Sequence, residues 1–297
     1  MRWDVVHRTT YTYDEPVTDS YGLLHLSPPD LAHQRVSSWS VRIDPGADDR
    51  AEEVDAFGNA QTYFQVTTPH TALVVEAAGS LDIVDPTYPE ELLGRSWEAL
   101  RPREPGAPAG AWRAGEHALP SPSVAPGAGP TAYAARSLIA GAPVGEALTD
   151  LVHRIHTEFD YDPSATTVTS TVEETYLKRA GVCQDFAHLL LACLRGHGLA
   201  ARHVSGYLAT EPPPGRERVV GADASHAWVE VWLGPDPAGG VDGWLAVDPT
   251  NDQWVSERYV TLARGRDYGD VAPVKGVIFT EAEQSTMDVS VDVAPVG

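Results

Sequence analysis

The chain contains very little cysteine. Its 297 residues include only two, Cys183 and Cys193, and no Cys-x-x-Cys pair, which disfavours a zinc ribbon or a redox dithiol. Both cysteines lie on one predicted helix, ten residues apart. At about 1.5 Å per residue this separates them by roughly 15 Å, which is too far for a disulfide. We therefore expect two free thiols.

Long apolar runs and positive charges are also scarce. No run of about 18 apolar residues is present, and the segment from Met1 to His7 lacks the apolar centre of a signal peptide. We expect a soluble, cytoplasmic protein without a membrane partner. Lys and Arg total 21 against 42 Asp and Glu, a net charge of −21, which disfavours nucleic-acid binding. This charge suits either solubility alone or a preference for cationic or amine-bearing substrates.

Patterns that indicate a metal site are weak. The nearest is His153-x-x-His156, which lacks an accompanying carboxylate or cysteine motif and fits an amphipathic helix. We expect no metal and no cofactor.

The first part of the chain divides into two regions, and length alone favours about two domains. Residues 1–85 show period-two alternation, as from His7 to Tyr13, interrupted at Glu15-Pro16 and followed by a turn at 55–59. These residues predict an all-β, sandwich-like domain. Residues 86–130 carry many prolines among Gly, Ala and Ser, which predicts a linker or a surface wrap with one short helix near 90–100.

From residue 131 to 297 the pattern is first helical and then strand-like. Apolar residues at three-and-four spacing predict helices over 132–139, 144–159, 172–179 and from 183 to about 196. Alternation predicts strands over 203–208, 226–233, 244–247, 276–279 and 287–293. Helices followed by strands, without βαβ alternation, indicate an α+β fold in which helices pack on an antiparallel sheet.

One constellation makes a specific chemical prediction. Cys183 follows Gly181 at the start of a predicted helix, where free backbone N–H groups and the helix dipole favour a thiolate. His226 opens one predicted strand and Asp248 ends another, and the Gly- and Pro-containing connection at 234–243 predicts that these strands are antiparallel neighbours. A thiol acyl-transfer enzyme needs a Cys that attacks, a His that takes its proton and an Asp that orients the His.

Each of these three residues also has a structural interpretation. A free Cys is most often buried, a lone His is most often a surface or core residue, and Asp-Pro often forms a turn. Gln184 and Asp185, which follow Cys183, argue against apolar burial of that thiol. Cys193 lies among leucines, and we predict that it belongs to the core.

Four more residues are candidates for the oxyanion hole or for substrate contact, beside the backbone N–H of Cys183. Tyr161 is a candidate second donor, with simple packing as the alternative. Gln184 and Asp185 lie in the first helical turn, where Asp185 either stabilises the helix dipole or contacts a substrate amine. Trp228 shares the strand face of His226 and either walls an apolar cleft or belongs to the core.

These residues resemble the bacterial transglutaminase-like family, which is part of the papain-like thiol superfamily. The matching segments are 181–188 (Gly-Val-Cys-Gln-Asp-Phe-Ala-His), 199–207, 225–228 (Ser-His-Ala-Trp) and 248–251 (Asp-Pro-Thr-Asn). His7-x-Thr9-x-Tyr11-x-Tyr13, Pro28 and the turn at 55–59 resemble the β-rich module that precedes this core in many bacterial members. The resemblance implies a papain/transglutaminase-like core with a triad of Cys183, His226 and Asp248.

Two classes of function fit this sequence. In the first, Cys183 attacks an amide carbonyl, His226 protonates the leaving amine, and water or an amine then resolves an acyl-thioester. The predicted partner is a peptide or protein amide, joined by an amine acceptor if the acyl group is transferred rather than hydrolysed. The alternative is a non-catalytic binding or assembly module built on the same fold.

Overall fold

The structure, a computed structural model, describes residues 1–107, 110–210, 224–235 and 243–296. A β-rich N-terminal part is followed by a part in which helices pack on an antiparallel sheet. The α+β class predicted from the sequence is therefore confirmed. No helix within the described ranges has the length and apolar character needed to cross a membrane.

The first sheet is organised around one strand of 26 residues, β1 (Arg2–Ser27). The other N-terminal strands are β2 (Gln34–Asp44), β3 (Asp49–Val54), β4 (Ala60–Val66) and β5 (His70–Ile83). β5 pairs with the first half of β1 and β4 with its second half. The chain stays extended through Glu15-Pro16, where the sequence predicted an interruption, because a shift of register between Thr12 and Val17 accommodates the proline.

Residues 86–107 and 110–130 form a wrap that is packed on the core. They contain α1 (Glu90–Leu93) and three 3₁₀ turns, Trp97–Leu100, Ala111–Arg113 and Gly115–Ala118. The single short helix predicted near 90–100 is thus two separate pieces. Leu92, Leu100 and Val124 are buried in the main core, so hydrophobic burial holds this segment in place.

Helices and a five-stranded sheet form the second part. The helices are α2 (Ala128–Ala134), α3 (Val144–Glu158), α4 (Val172–Lys178) and α5 (Cys183–Gly196). Two short strands, β6 (Asp160–Tyr161) and β7 (Ala180–Gly181), pair with each other. The main sheet contains five strands, β8 (Ala201–Leu208), β9 (Ala224–Gly234), β10 (Gly243–Asp248), β11 (Gln253–Trp254) and β12 (Tyr259–Gly265). The main sheet is antiparallel, in the order β11-β10-β9-β8-β12.

Alternation along β9 separates the layers of this part. Ala227, Val229 and Val231 pack in the same core as α5, whereas Trp228 and Trp232 lie in smaller clusters outside it. β10 lies antiparallel beside β9, as the sequence predicted, with Val247 opposite Val229. Most of the predicted connection between the two strands, residues 236–242, lies outside the described residues.

The last strands of the chain belong to the first sheet. After α6 (Tyr268–Val271), β13 (Val274–Thr280) pairs with the second half of β1 and β14 (Ser285–Pro295) with its first half. The predicted assignment of these strands to the core of residues 131–297 is wrong, because both of them pair with β1. Trp3 lies opposite Pro295, a pairing across almost the whole chain that no local pattern indicates.

The two parts share a hydrophobic core. Trp3, Val75 and Val291 of the first sheet pack in one buried cluster with Tyr207 and Leu262 of the second. The first sheet is therefore fixed against β8 and β12, next to the helix that begins at Cys183.

Candidate active site

The loop before α5 places Cys183 at the first position of the helix. The Asp185 carboxylate accepts hydrogen bonds from the Val182 N–H at 2.9 Å and from the Thr166 hydroxyl at 2.6 Å. Gly181 is needed for this arrangement because a Cβ there would lie 2.8 Å from Asp185 Oδ2. The partly exposed Cys183 thiol thus lies at the positive end of a 14-residue helix, a position that favours an anion.

His226 connects the thiol to a buried carboxylate. Its Nε2 lies 2.7 Å from Asp248 Oδ2, which leaves Nδ1 as the nitrogen available to the Cys183 thiol. The Trp228 indole stacks on the imidazole, with an interplanar angle of 29° and ring centroids 6.2 Å apart. The ring orientation is therefore set by a hydrogen bond on one edge and by packing on one face.

Asp248 is completely buried and fully hydrogen-bonded. Its Oδ2 accepts from the Asn251 amide and from the Tyr259 hydroxyl, both at 2.7 Å, and its Oδ1 accepts from the Thr250 N–H at 2.8 Å. Burial alone would raise the pKa of Asp248, but hydrogen bonds from His226, Asn251 and Tyr259 lower it. The residue is therefore an ionised carboxylate at neutral pH.

The two neighbours of His226 stabilise its protonated form. Burial alone would lower the pKa of His226, but hydrogen bonds to Asp248 and Cys183, and their charges, raise it. A protonated imidazole beside a cysteine is the setting in which a thiolate forms. The geometry thus suits a thiolate–imidazolium pair backed by a carboxylate.

Cys183 and His226 open into a cavity of about 230 Å³ between the two sheets. The second sheet contributes His203 and Ser205 from β8 and Ala227 from β9. The remaining walls include His7, Thr9 and Tyr11 of β1, Met287 and Val289 of β14, and Tyr268, Pro273 and Val274. The contribution of the first sheet to this cavity was not predicted from the sequence. Its signal in the sequence is the strand alternation that puts His7, Thr9 and Tyr11 on one face of β1.

The predicted oxyanion and substrate residues occupy different positions. Gln184 lines the cavity, and its side-chain amide donates to the Val168 carbonyl at 3.3 Å. Tyr161 is 59% exposed and is not part of the described cavity wall. Burial and the charge of Cys183 raise the pKa of Tyr161.

The other two candidates are buried. The Asp185 carboxylate is engaged by the start of α5, as described above, and is not among the described residues that line the cavity. The Trp228 ring is completely buried and contacts Tyr259 edge-on at 5.3 Å. Trp228 therefore supports the imidazole from behind and presents no surface to a substrate.

The two histidines of the His153-x-x-His156 pattern connect α3 by hydrogen bonds to the segment after β10. His153 Nδ1 lies 2.7 Å from Asp252 Oδ2, and His156 Nδ1 lies 2.8 Å from the Thr250 carbonyl oxygen. Within the described ranges, no group of three His, Cys, Asp or Glu side chains is arranged to hold a metal ion.

A helix N-terminus that carries a thiol, next to an antiparallel sheet that carries a histidine and an aspartate, defines the papain-like class of fold. A proposed cysteine protease from Cytophaga hutchinsonii has this fold, with a TM-score of 0.72 and 18% identity over 100% of this chain and 92% of that one. Residues 3–82 match the bacterial transglutaminase-like N-terminal region, and residues 132–249 match the transglutaminase-like superfamily. The chain belongs to the bacterial transglutaminase-like family, which confirms the resemblance found in the sequence.

Relatives extend this similarity over the full length. An uncharacterised protein of Mycobacterium tuberculosis is 46% identical over 298 residues, covering 99% of this chain and 93% of the relative. An uncharacterised protein of Mycobacterium leprae is 33% identical over 98% of both chains. A protein-glutamine gamma-glutamyltransferase of Pseudomonas aeruginosa is 37% identical over 98 residues, which are 32% of this chain and 14% of that protein.

Proposed function

We propose that the protein is a cysteine-dependent acyl-transfer enzyme that acts on amide bonds. The observation that carries this proposal is His226, which is hydrogen-bonded to buried Asp248 and lines the same open cavity as Cys183. A carboxylate that orients a histidine next to a thiol is the arrangement that activates a cysteine nucleophile.

The reaction follows from these positions in two steps. The Cys183 thiolate attacks the amide carbonyl, the C–O π electrons move to oxygen, and the Cys183 N–H donates to the resulting oxyanion. When the electrons return, the C–N bond breaks, His226 gives its proton to the leaving nitrogen, and a thioester remains. Water or an amine then attacks the thioester while His226 takes its proton, and the thiolate leaves.

The choice between water and an amine decides whether the enzyme is a hydrolase or a transferase. Both reactions pass through the same thioester and differ in how well the site excludes water. The cysteine protease-like structure and the gamma-glutamyltransferase relative each support one of them. We propose a peptide or protein amide as the substrate, with hydrolysis and transamidation both open, and we retain the cytoplasmic location as a prediction.

Alkylation of Cys183 by iodoacetamide tests whether the thiol is activated. Cys193 is completely buried, so labelling of the native protein reports on Cys183, and a Cys183→Ser variant is the control. We expect rapid labelling that persists below the ordinary pKa of a thiol, and labelling in His226→Ala that occurs only near that pKa. Labelling that is the same in both proteins would contradict the enzyme and favour a binding module.

A second experiment separates hydrolysis from transfer. The protein is incubated with a glutamine-peptide library, with and without a primary amine, and the acyl adduct on Cys183 is trapped and weighed by mass spectrometry. Amine incorporation indicates transamidation. Free acid without amine incorporation rules out transamidation as the main reaction.

A further inference from the structure

Tyr268 lies beside the reactive thiol in a segment that neither family model covers. The transglutaminase-like match ends at residue 249, whereas Tyr268 is the first residue of the short helix α6 between β12 and β13. Its side chain lines the cavity that contains Cys183 and His226. The cavity therefore holds a phenol whose role is not predicted by any motif.

The backbone and ring of Tyr268 are fixed by buried groups. Its N–H donates to His188 Nε2 at 3.1 Å, and its ring lies 6.2 Å from the ring of His203, which contacts His188 in turn at 5.2 Å. The preceding residue, Asp267, accepts hydrogen bonds from the N–H groups of Ser123 at 2.8 Å and Gly269 at 2.9 Å. These contacts fix the backbone of Tyr268 and place its ring against His203, and none of them uses the hydroxyl.

The Tyr268 hydroxyl is available as a hydrogen-bond donor. In the described part of the chain no residue donates to it or accepts from it. Burial and the charge of Cys183 raise the pKa of Tyr268, so the phenol keeps its proton at neutral pH. Tyr268 and Cys183 line the same cavity, so a substrate carbonyl bound there can contact both side chains.

We propose that Tyr268 is a catalytic residue whose phenolic O–H donates a hydrogen bond to the substrate carbonyl oxygen as that oxygen becomes an oxyanion. It would complete an oxyanion hole with the backbone N–H of Cys183, and this role rests on the acyl-transfer function proposed above. No proton is transferred. The oxygen gains the π electrons as the S–C bond forms and returns them as the C–N bond breaks, while Tyr268 stays neutral throughout.

Two other tyrosines lie near the thiol and are less suited to this role. Tyr161 also interacts with the charge of Cys183, but it is largely exposed and outside the described cavity wall. A hydrogen bond from an exposed side chain is weakened by water, whereas a fixed donor in a partly dry cavity retains its strength. Tyr11 lines the cavity, but its pKa is raised first by burial and then by the neighbouring Tyr268, not by the charge of the thiol.

Comparison of two reactions of the same thiol tests the proposal. Acyl transfer from p-nitrophenyl acetate forms an oxyanion, whereas alkylation by iodoacetamide is a displacement that forms none. In Tyr268→Phe we expect kcat for acyl transfer to fall about 100-fold, as for loss of an oxyanion-hole donor. KM and the alkylation rate should stay near their wild-type values, because the ring, its packing and the thiol are unchanged.

Two further variants complete the experiment. Tyr21→Phe removes a hydroxyl that accepts from the Gln65 amide outside the cavity and should leave both reactions unchanged. Tyr161→Phe tests the competing donor.

The proposal for Tyr268 is overturned if Tyr268→Phe changes kcat less than about twofold, if Tyr161→Phe shows the loss instead, or if alkylation falls in parallel with acyl transfer. A wild-type protein that is alkylated slowly and transfers no acyl group would instead overturn the proposed function itself.

Discussion

At the scale of single residues, Asp248 controls how strongly His226 holds its proton. In Asp248→Asn we expect acyl transfer to fall by about 10²- to 10⁴-fold, because an amide neither fixes the same tautomer nor stabilises the imidazolium. The hydrogen bond and charge of Asp248 raise the pKa of His226. The variant should therefore lose its general acid at lower pH, and the alkaline limb of the kcat profile should move to lower pH.

The pH profile separates this role from a purely structural one. The profile of kcat is measured for wild type and Asp248→Asn, with far-UV circular dichroism across the same pH range to verify folding. A folded variant whose alkaline limb coincides with that of wild type would show that Asp248 does not set the proton affinity of His226.

The sequence indicates some of the residues of this site and not others. Cys183, His226 and Asp248 each lie next to a local signal, a glycine turn or a strand end, and the structure brings these three side chains together. Tyr259 and Tyr268 lie in no such motif. Their positions depend on how β12 and the following turn fold back over β8, which is a long-range property that local spacing does not encode.

At the scale of elements, the last turn of α5 fastens the proline-rich wrap to the core. The buried guanidinium of Arg195 donates to the His117 carbonyl at 3.0 Å, to the Ser121 hydroxyl at 3.0 Å and to the Ala201 carbonyl at 2.9 Å. Burial lowers the pKa of Arg195 to about 10, so the side chain remains charged at neutral pH. One cation thus joins α5 to the wrap and to β8.

We expect Arg195→Ala to lower the free energy of unfolding by about 3 kcal/mol, because several buried acceptors lose a charged donor. Trypsin should also cleave faster after exposed Arg113, since the wrap loses its attachment. Urea unfolding and timed proteolysis measure these effects. Arg136→Ala is the control, because Arg136 is exposed and its ion pair with Glu158 lies on the surface. Equal proteolysis of the two variants would contradict the role of Arg195.

Pairing between strands was predicted from the sequence only where the two partner strands are close together in the chain. β9 and β10 were predicted to be antiparallel neighbours from the Gly- and Pro-containing connection between them, and they pair in this way. β13 and β14 were recognised as strands, but their partner lies at the other end of the chain. Strand periodicity shows which face of a strand is buried and does not show which strand lies beside it.

At the scale of the whole molecule, the N-terminal sheet forms part of the cavity that contains Cys183 and His226. Its strands β1 and β14 form one wall of the cavity, and its apolar face packs on β8 and β12 of the second sheet. The shape of the cavity that contains Cys183 therefore depends on both sheets. Relatives from Mycobacterium tuberculosis and Mycobacterium leprae are similar to this chain over both parts.

The shared core predicts that both parts unfold in one transition. Val291 of β14 is 1% exposed and packs in the cluster that joins the sheets, whereas Cys193 of α5 lies in the main core. In a Cys183→Ser background, reaction of Cys193 with a thiol reagent in urea reports on the main core, while circular dichroism reports on all strands.

Val291→Ala should lower the free energy of unfolding by about 2 kcal/mol and shift the urea midpoints of both probes equally. Val277→Ala, at a 61% exposed position of β13, should shift neither. A Cys193 midpoint that stays in place while the circular dichroism midpoint moves would show that the sheets unfold independently.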